Sequence, residues 1–129
     1  MGRKLVNPQE LHPAPGYSHV AVSTGKQLVF IAGQVALDVN FNMVGEGDLR
    51  AQTVQAMRNL EIALQAVGGS WDDVVKRTIF TLQPEQFETM TEAIEEVTGS
   101  NSHPPQSIVG VSGLALDGLL VEIEAIASI

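Results

Sequence analysis

The sequence predicts a two-layer α+β domain in which two helices cover one face of a single mixed β-sheet. Two observations support this prediction. Strand-like segments, which alternate in polarity or are continuously apolar, outnumber helical ones, and only two segments show the three-to-four-residue apolar spacing of an amphipathic helix. The predicted order is β-β-α-β-α-β-β, and helices segregated to one sheet face define the α+β class. A length of 129 residues allows one domain over residues 1–129.

Turn or loop signals bound each predicted strand. A hairpin-like turn at Gly25 and Lys26 separates the first two main strands, and a turn at Asp117 and Gly118 precedes the last. A proline-rich arm over residues 1–17 contains a further short strand. In chain order the predicted strands are residues 4–6, 19–23, 28–32, 74–82, 106–111 and 119–127.

The two helices have the clearest patterns. Asp48 is the expected N-cap of the first helix, which Gly68 and Gly69 end. Pro84 begins the second helix, whose glutamates lie mostly away from its apolar face. The expected apolar faces are Leu49, Thr53, Ala56, Leu60, Ala63 and Val67 on the first helix, and Phe87, Met90, Ile94 and Val97 on the second.

The sheet face away from the helices is expected to be partly apolar. Because a small domain must cover such a face, the sequence indicates self-association. The strand residues behind this expectation are Ile31, Ile79, Val109, Val121 and Ile123.

Composition excludes several function classes. Fifteen acidic against seven basic residues give a net charge of −8, which repels phosphate backbones, so no nucleic-acid partner is expected. The chain has no cysteine, and His12, His19 and His103 lack metal-ligand spacing, so neither a metal nor a cofactor is expected. No apolar run approaches the roughly 18 residues of a membrane span and no signal-peptide core is present, which indicates a cytoplasmic protein without a membrane partner.

Motifs along nearly the whole chain match one known family. They are Pro15-Gly16-Tyr17-Ser18, Ile31-Ala32-Gly33-Gln34, Gln52 through Asn59-Leu60, the segment DVVKRTIF at 73–80 and the terminal segment VEIEAIA at 121–127. Together they resemble the reactive intermediate deaminase family (Rid/YjgF, also labelled L-PSP endoribonuclease). The resemblance implies a chorismate-mutase-like fold, a homotrimer and three small-molecule clefts at the subunit boundaries.

The resemblance also implies a reaction, with one departure in the residues. Active members hydrolyse reactive 2-enamino and 2-imino acids to 2-keto acids and ammonia, and bind the substrate carboxylate with the arginine of a Pro-x-Arg-[Ser/Thr] motif. The matching segment is Pro104-Pro105-Gln106-Ser107, in which Gln106 replaces the arginine. A charge-assisted bond contributes about 1.5–3 kcal/mol against about 1 for a neutral one, so we expect weaker carboxylate binding. The arginines considered as compensating residues are Arg50, Arg58 and Arg77.

The resemblance assigns roles to five residues. Glu122 matches the acid that orients the hydrolytic water, although a carboxylate on a terminal strand can also be simply solvated. Tyr17 matches a cleft tyrosine, or is a packed aromatic; Gln106 is a neutral substrate anchor, or a polar residue that starts a strand. Thr91 and Ile108 occupy positions that are commonly Asn and Cys in the family. The predicted substrate-binding set is therefore Tyr17, Gln106, Thr91 and Ile108, with Glu122 as the catalytic residue.

Three functions follow from these residues. The first is a deaminase or related hydrolase that acts on a small reactive enamine or imine. The second is a non-catalytic trimer that binds a metabolite or a partner protein in the same clefts, as the loss of three familiar cleft identities indicates. The third, RNA cleavage, is suggested only by the family label, and the acidic charge balance argues against it.

Overall fold

A computed structural model describes residues 2–129, so Met1, the first residue of the predicted domain, lies outside the described residues. Within this range, two α-helices pack on a mixed β-sheet, as predicted. The elements are β1 Arg3–Val6, β2 Val20–Ser23, β3 Leu28–Gln34, α1 Leu49–Ala66, β4 Val74–Thr81, α2 Phe87–Thr98, β5 Gln106–Gly110 and β6 Val121–Ser128.

Four strands form the main sheet in the order β3-β6-β4-β5. The β4–β5 pair is parallel and joined through α2, whereas β6 is antiparallel to both β3 and β4. The hairpin expected at Gly25 and Lys26 does not form, because β2 pairs with β1 in a separate two-stranded sheet. The Lys26 amide instead donates to the Ile129 carbonyl, which ties the turn to the chain end after β6.

The first helix begins and ends where its sequence predicts. The Asp48 carboxylate accepts a hydrogen bond from the Ala51 amide at 3.0 Å, and Gly68 follows the helix with a φ of 77°. The buried face matches the prediction at Leu49, Thr53, Ala56 and Leu60 but then passes through Leu64 rather than Ala63 and Val67. The helical period therefore holds, with a small rotation at its C-terminal end.

Strand pairing decides which side chains face the helices. Ile79 lies opposite Ile123 in the β4–β6 ladder, and both are fully buried under α1 and α2 together with Val121. The expectation that these three residues make the other face apolar is therefore wrong. Ile31 also packs against the helix-covered core. The reason is strand parity, which is fixed by the partner strands and not by the local apolar run.

The sheet face away from the helices, called the open face below, is nevertheless partly apolar. Val109 lies on it opposite Phe80, as expected for that residue, and Phe30 lies on it opposite Ile126. The Phe30 side chain is 73% exposed in the single chain. An aromatic side chain left this exposed on a sheet is typical of a surface that another chain covers.

Neither helix of residues 2–129 combines the length and apolar character that crossing a membrane requires.

Candidate active-site cleft

A cleft of about 390 Å³ opens between the N-terminal half of α2 and the edge strand β5. It brings together the four residues predicted to bind substrate, although they come from the arm, from α2 and from β5. The complete lining is Pro15, Tyr17, Pro84, Phe87, Thr91, Gln106 and Ile108. A mostly apolar cavity of this size with a few polar groups is typical of a small-molecule site.

Local backbone geometry places these side chains. Gln106 and Ile108 are two residues apart on β5, so both point to the helix-covered side of the sheet. Thr91 follows Phe87 by one helical turn, and its hydroxyl donates to the Phe87 carbonyl at 2.9 Å. Gly16 has a φ of 77°, and a Cβ there would lie 2.9 Å from Thr91 Oγ1, so only glycine lets the arm approach α2 this closely.

The arm is fixed against the rest of the chain at Tyr17 and Ser18. The Tyr17 hydroxyl lies 2.7 Å from His12 Nε2, and the His19 ring packs edge-on against both His12 and Tyr17. The Ser18 hydroxyl donates to the His103 carbonyl at 2.6 Å. These contacts hold Tyr17 at the rim of the cleft, and sequence reasoning did not identify His12 as its partner.

Arg77 is the arginine that contacts Gln106. The two residues lie opposite each other in the parallel β4–β5 ladder, and Arg77 Nε donates to Gln106 Oε1 at 2.5 Å. Arg77 is only 4% exposed, whereas Arg50 forms ion pairs with glutamates of α2 on the surface and Arg58 is exposed on α1. Of the three arginines considered from the sequence, Arg77 is therefore the one placed to influence the cleft.

Arg77 belongs to a hydrogen-bonded series of four side chains, called the Arg77 polar chain below. Arg77 Nη2 lies 3.0 Å from His103 Nδ1, and His103 Nε2 lies 2.6 Å from Glu95 Oε2. In order, the chain is Glu95, His103, Arg77 and Gln106, and it runs from the surface of α2 to the cleft.

Burial sets the protonation states along this chain. Desolvation lowers the pKa of Arg77 to about 9, so the guanidinium stays charged at neutral pH. Desolvation also lowers the pKa of His103, although the hydrogen bond with Glu95 acts in the opposite direction. A neutral imidazole can accept from Arg77 at Nδ1 while it donates from Nε2 to Glu95.

Glu122 lies apart from the cleft within a single chain. It is half-buried on the open face, opposite Phe80 in the β4–β6 ladder, whereas Gln106 points to the helix-covered side. Its carboxylate lies directly over Gly33, where any Cβ would collide with it. Glu124 shares the open face, as the two-residue spacing predicts, but is exposed.

The sequence held one signal for the Arg77 polar chain that the prediction did not use. Arg77 has the same strand parity as Ile79 and Thr81, which are buried. An arginine at an inward-facing position requires polar partners, since an unpaired buried cation is strongly unfavourable. Those partners, His103 and Gln106, are 26 and 29 residues away, so a strand pattern could not name them.

No group of three or more metal-ligating side chains lies close enough together to hold a metal ion in the part of the chain that the structure describes.

Comparisons with known proteins agree on one family. The family model described as Endoribonuclease L-PSP matches residues 7–129. A RutC family protein from Pyrococcus horikoshii is 39% identical over 115 residues, covering 89% of this chain and 88% of that protein. A Dermatophagoides farinae protein named 2-iminobutanoate/2-iminopropanoate deaminase is 32% identical, covering 98% of this chain and 96% of its own.

A solved structure gives the same result for the fold. The crystal structure of a Rid-family protein of unknown function from Yersinia pestis superposes with a TM-score of 0.93 at 34% identity, covering 100% of both chains. The architecture is thus the YjgF/L-PSP α+β fold. The chain belongs to the Rid/YjgF family, also called the L-PSP endoribonuclease family.

Proposed function

We propose that this chain is a Rid-family hydrolase that deaminates a small reactive enamine or imine in the cleft beside β5. The observation that carries the proposal is the convergence of Tyr17, Thr91, Gln106 and Ile108 on one cavity of ligand size. Relatives named 2-iminobutanoate/2-iminopropanoate deaminase, from Dermatophagoides farinae and Mus musculus, support the reaction class. Gln106 takes the place of the expected arginine as the polar anchor for a substrate oxygen.

The proposed reaction is hydrolysis of a carbon–nitrogen double bond. An enamine first tautomerises to the imine, water adds to the imine carbon, and the resulting carbinolamine expels ammonia to leave a ketone. Glu122 is proposed to orient the water, accept its proton and return a proton to the leaving nitrogen. Tyr17, Thr91 and Ile108 are proposed to enclose the substrate and exclude bulk water.

This assignment of roles requires more than one subunit. Glu122 and the cleft lie on opposite sides of the sheet, so the Glu122 that serves a cleft has to come from a neighbouring copy. We propose a homotrimer in which the open face packs against its neighbours, which covers Phe30 and Val109 and brings Glu122 of one subunit to the cleft of the next. The exposed apolar side chains of the open face support such packing.

Mixed trimers test the proposal. Trimers of the Glu122→Gln variant alone, and of the Gln106→Glu variant alone, are expected to be inactive. Random 1:1 trimers of the two variants are expected to regain about a quarter of wild-type activity. Each site takes Gln106 from one subunit and Glu122 from its neighbour, and in a random mixture each of these residues is intact with a probability of one half. The assay follows 2-oxobutanoate formation above the spontaneous rate from 2-iminobutanoate made in situ by an amino acid oxidase.

Each other outcome contradicts part of the proposal. A wild-type protein without turnover would overturn the deaminase assignment. No recovery in the mixed trimers would show that Glu122 does not act across the subunit boundary, and full activity of the Glu122→Gln variant would remove it as the catalytic acid.

A specific observation favours a second candidate, a non-catalytic trimer that binds a metabolite. Tyr17 is the only titratable side chain among the residues that line the cleft. The other residues that line the cleft cannot act as a general acid or base, so a single chain can bind a ligand there without converting it. Catalysis would then require a residue from a neighbouring subunit. Thermal stabilisation by 2-oxobutanoate without turnover of any imine would favour this candidate over the deaminase.

A further inference from the structure

The Gln106 side chain has two hydrogen-bonding ends, and the structure fixes which end faces the cleft. Its oxygen Oε1 accepts from Arg77 Nε, the inner end of the Arg77 polar chain. Among residues 2–129, its nitrogen Nε2 has no hydrogen-bond partner. Every buried side-chain nitrogen or oxygen in this range does have a hydrogen-bond partner, so Nε2 is not one of the buried atoms. The NH2 group is therefore accessible, and Gln106 lines the cleft.

Chemistry makes this orientation obligatory. A guanidinium is a donor only and has no atom that accepts a hydrogen bond. If the Gln106 amide were reversed, two N–H donors would face each other in a partly buried position, which costs the bond and adds repulsion. Arg77 thus excludes the amide rotamer that would present a carbonyl oxygen to the cleft.

Arg77 is itself held in place by the rest of the chain. His103 accepts from Nη2, and the Gly16 carbonyl lies 3.4 Å from the same nitrogen. Glu95 fixes the other end of the His103 ring, which leaves the neutral Nδ1 directed at Arg77. Among the described residues, no carboxylate makes a direct ion pair with Arg77, so its contacts with His103, Gly16 and Gln106 fix its position.

We propose that Arg77 is a positioning residue that acts through Gln106 and makes the cleft specific for ligands with a hydrogen-bond acceptor oxygen, a ketone, amide or carboxylate. This inference rests on the proposed function in that it names the substrate class of the same cleft. The family pattern places an arginine at position 106 on β5. In this chain the arginine next to the cleft is Arg77 on the neighbouring strand β4, and it acts on the ligand through the neutral amide of Gln106. The cleft therefore accepts neutral carbonyl compounds as well as carboxylates.

The first experiment uses the wild-type protein labelled with 15N and two probes, 2-butanone as a neutral acceptor and 2-oxobutanoate as an anionic one. Both are expected to shift the NMR signals of the Gln106 NH2 group, while the nuclear Overhauser contact between the Arg77 Nε proton and the Gln106 side chain persists. Shifts of the Thr91 and Ile108 methyl signals without any change at Gln106 would overturn the proposal, as would the absence of any shift in the cleft.

The second experiment separates positioning from charge. In the Arg77→Met variant either end of the Gln106 amide can face the cleft, and we expect 2-butanone to bind about twofold more weakly, because the NH2 group then faces the cleft in only about half of the molecules. Because 2-butanone carries no charge, loss of the Arg77 cation by itself leaves its affinity unchanged. The Ile108 methyl signal in its wild-type position shows that the cleft of the variant is intact. Equal affinity of the wild type and of such an intact Arg77→Met variant for 2-butanone would refute the positioning role of Arg77. If the variant does not fold, the wild-type contacts of the first experiment decide the question.

Binding and turnover are read separately, so the two proposals fail separately. Probe-induced shifts at Gln106 in a protein that releases no ammonia would refute the deaminase and leave the positioning role of Arg77 intact. Turnover of 2-iminobutanoate with Gln106 signals that neither probe changes would refute the positioning role of Arg77 and leave the deaminase assignment intact.

Discussion

Replacing Gln106 with arginine is the substitution that would restore the family's carboxylate anchor, and the structure predicts that it fails on its own. Arg77 Nε and Gln106 Oε1 are in direct contact, so a second guanidinium at position 106 would lie roughly 4 Å from the first. At an effective dielectric constant of about 20, two like charges at that distance repel by about 4 kcal/mol. Relaxation of the new side chain into the cleft reduces this value, and we expect a net loss of about 2–3 kcal/mol.

Thermal unfolding followed by circular dichroism measures this loss. For a chain of 129 residues, about 1 kcal/mol corresponds to roughly 3–5 °C, so the melting temperature of Gln106→Arg is expected to fall by about 10 °C. The matched control is the exchange variant Arg77→Gln with Gln106→Arg, which keeps one guanidinium and one amide on the same strand pair. This variant is expected to recover most of the stability and to bind 2-oxobutanoate more tightly than the wild type does.

A second control is Gln106→Glu, which gives Arg77 a carboxylate partner and is expected to melt no lower than the wild type. A Gln106→Arg variant that melts within about 2 °C of the wild type would refute the reasoning. It would mean that Arg77 does not hold residue 106 against β4.

Three further outcomes are expected. Gly33→Ala should displace the Glu122 carboxylate and so lower both the free energy of unfolding and the turnover. Urea unfolding measures the loss of stability, which should be smaller when the same substitution is made in the Glu122→Ala variant, because that variant lacks the colliding carboxylate. Burial holds the pKa of His103 below its ordinary 6.5, so the unfolded chain binds its proton first and the free energy of unfolding should fall as pH drops below about 6.5. His103→Gln should flatten this dependence in urea titrations at pH 7.5 and 5.5, and an equal dependence in both proteins would contradict the effect of burial on His103. Phe30→Glu should reduce the mass measured by light scattering from that of the proposed trimer to that of a monomer, with an unchanged far-UV spectrum. A mass equal to that of the wild type would exclude this part of the open face from the proposed interface.

The elements of this protein could be predicted because their signals are local. The Asp48 cap, the glycines after α1 and the apolar spacing of both helices act within one or two turns of chain, so they can be read from neighbouring residues. The residues predicted to bind substrate were named from motifs around Tyr17 and Gln106 that resemble those of a known family, and their role in binding stays a prediction. These four residues do share one cleft.

Strand partners and strand faces could not be predicted in the same way. The continuous apolar strands carry no alternation that assigns a face, so Ile79, Val121 and Ile123 were expected on the wrong side of the sheet. The hairpin at Gly25 was expected for the same reason, because a turn signal does not say which strand the chain will pair with next.

The sequence by itself determined the α+β class, the bounds of α1 and the family, because these depend on composition, periodicity and motifs that are read along the chain. It did not determine the start of α2, which begins at Phe87 after a 3-10 turn over Pro84–Gln86 and not at the predicted Pro84. Only the tertiary structure decided that Arg77 contacts Gln106 and that Glu122 lies on the opposite face from the cleft. Both facts follow from the pairing of β4 with β5 and with β6, which joins residues about 30 to 50 positions apart in the chain. The energy of such contacts depends on which strands meet, and no local property of either strand encodes that choice.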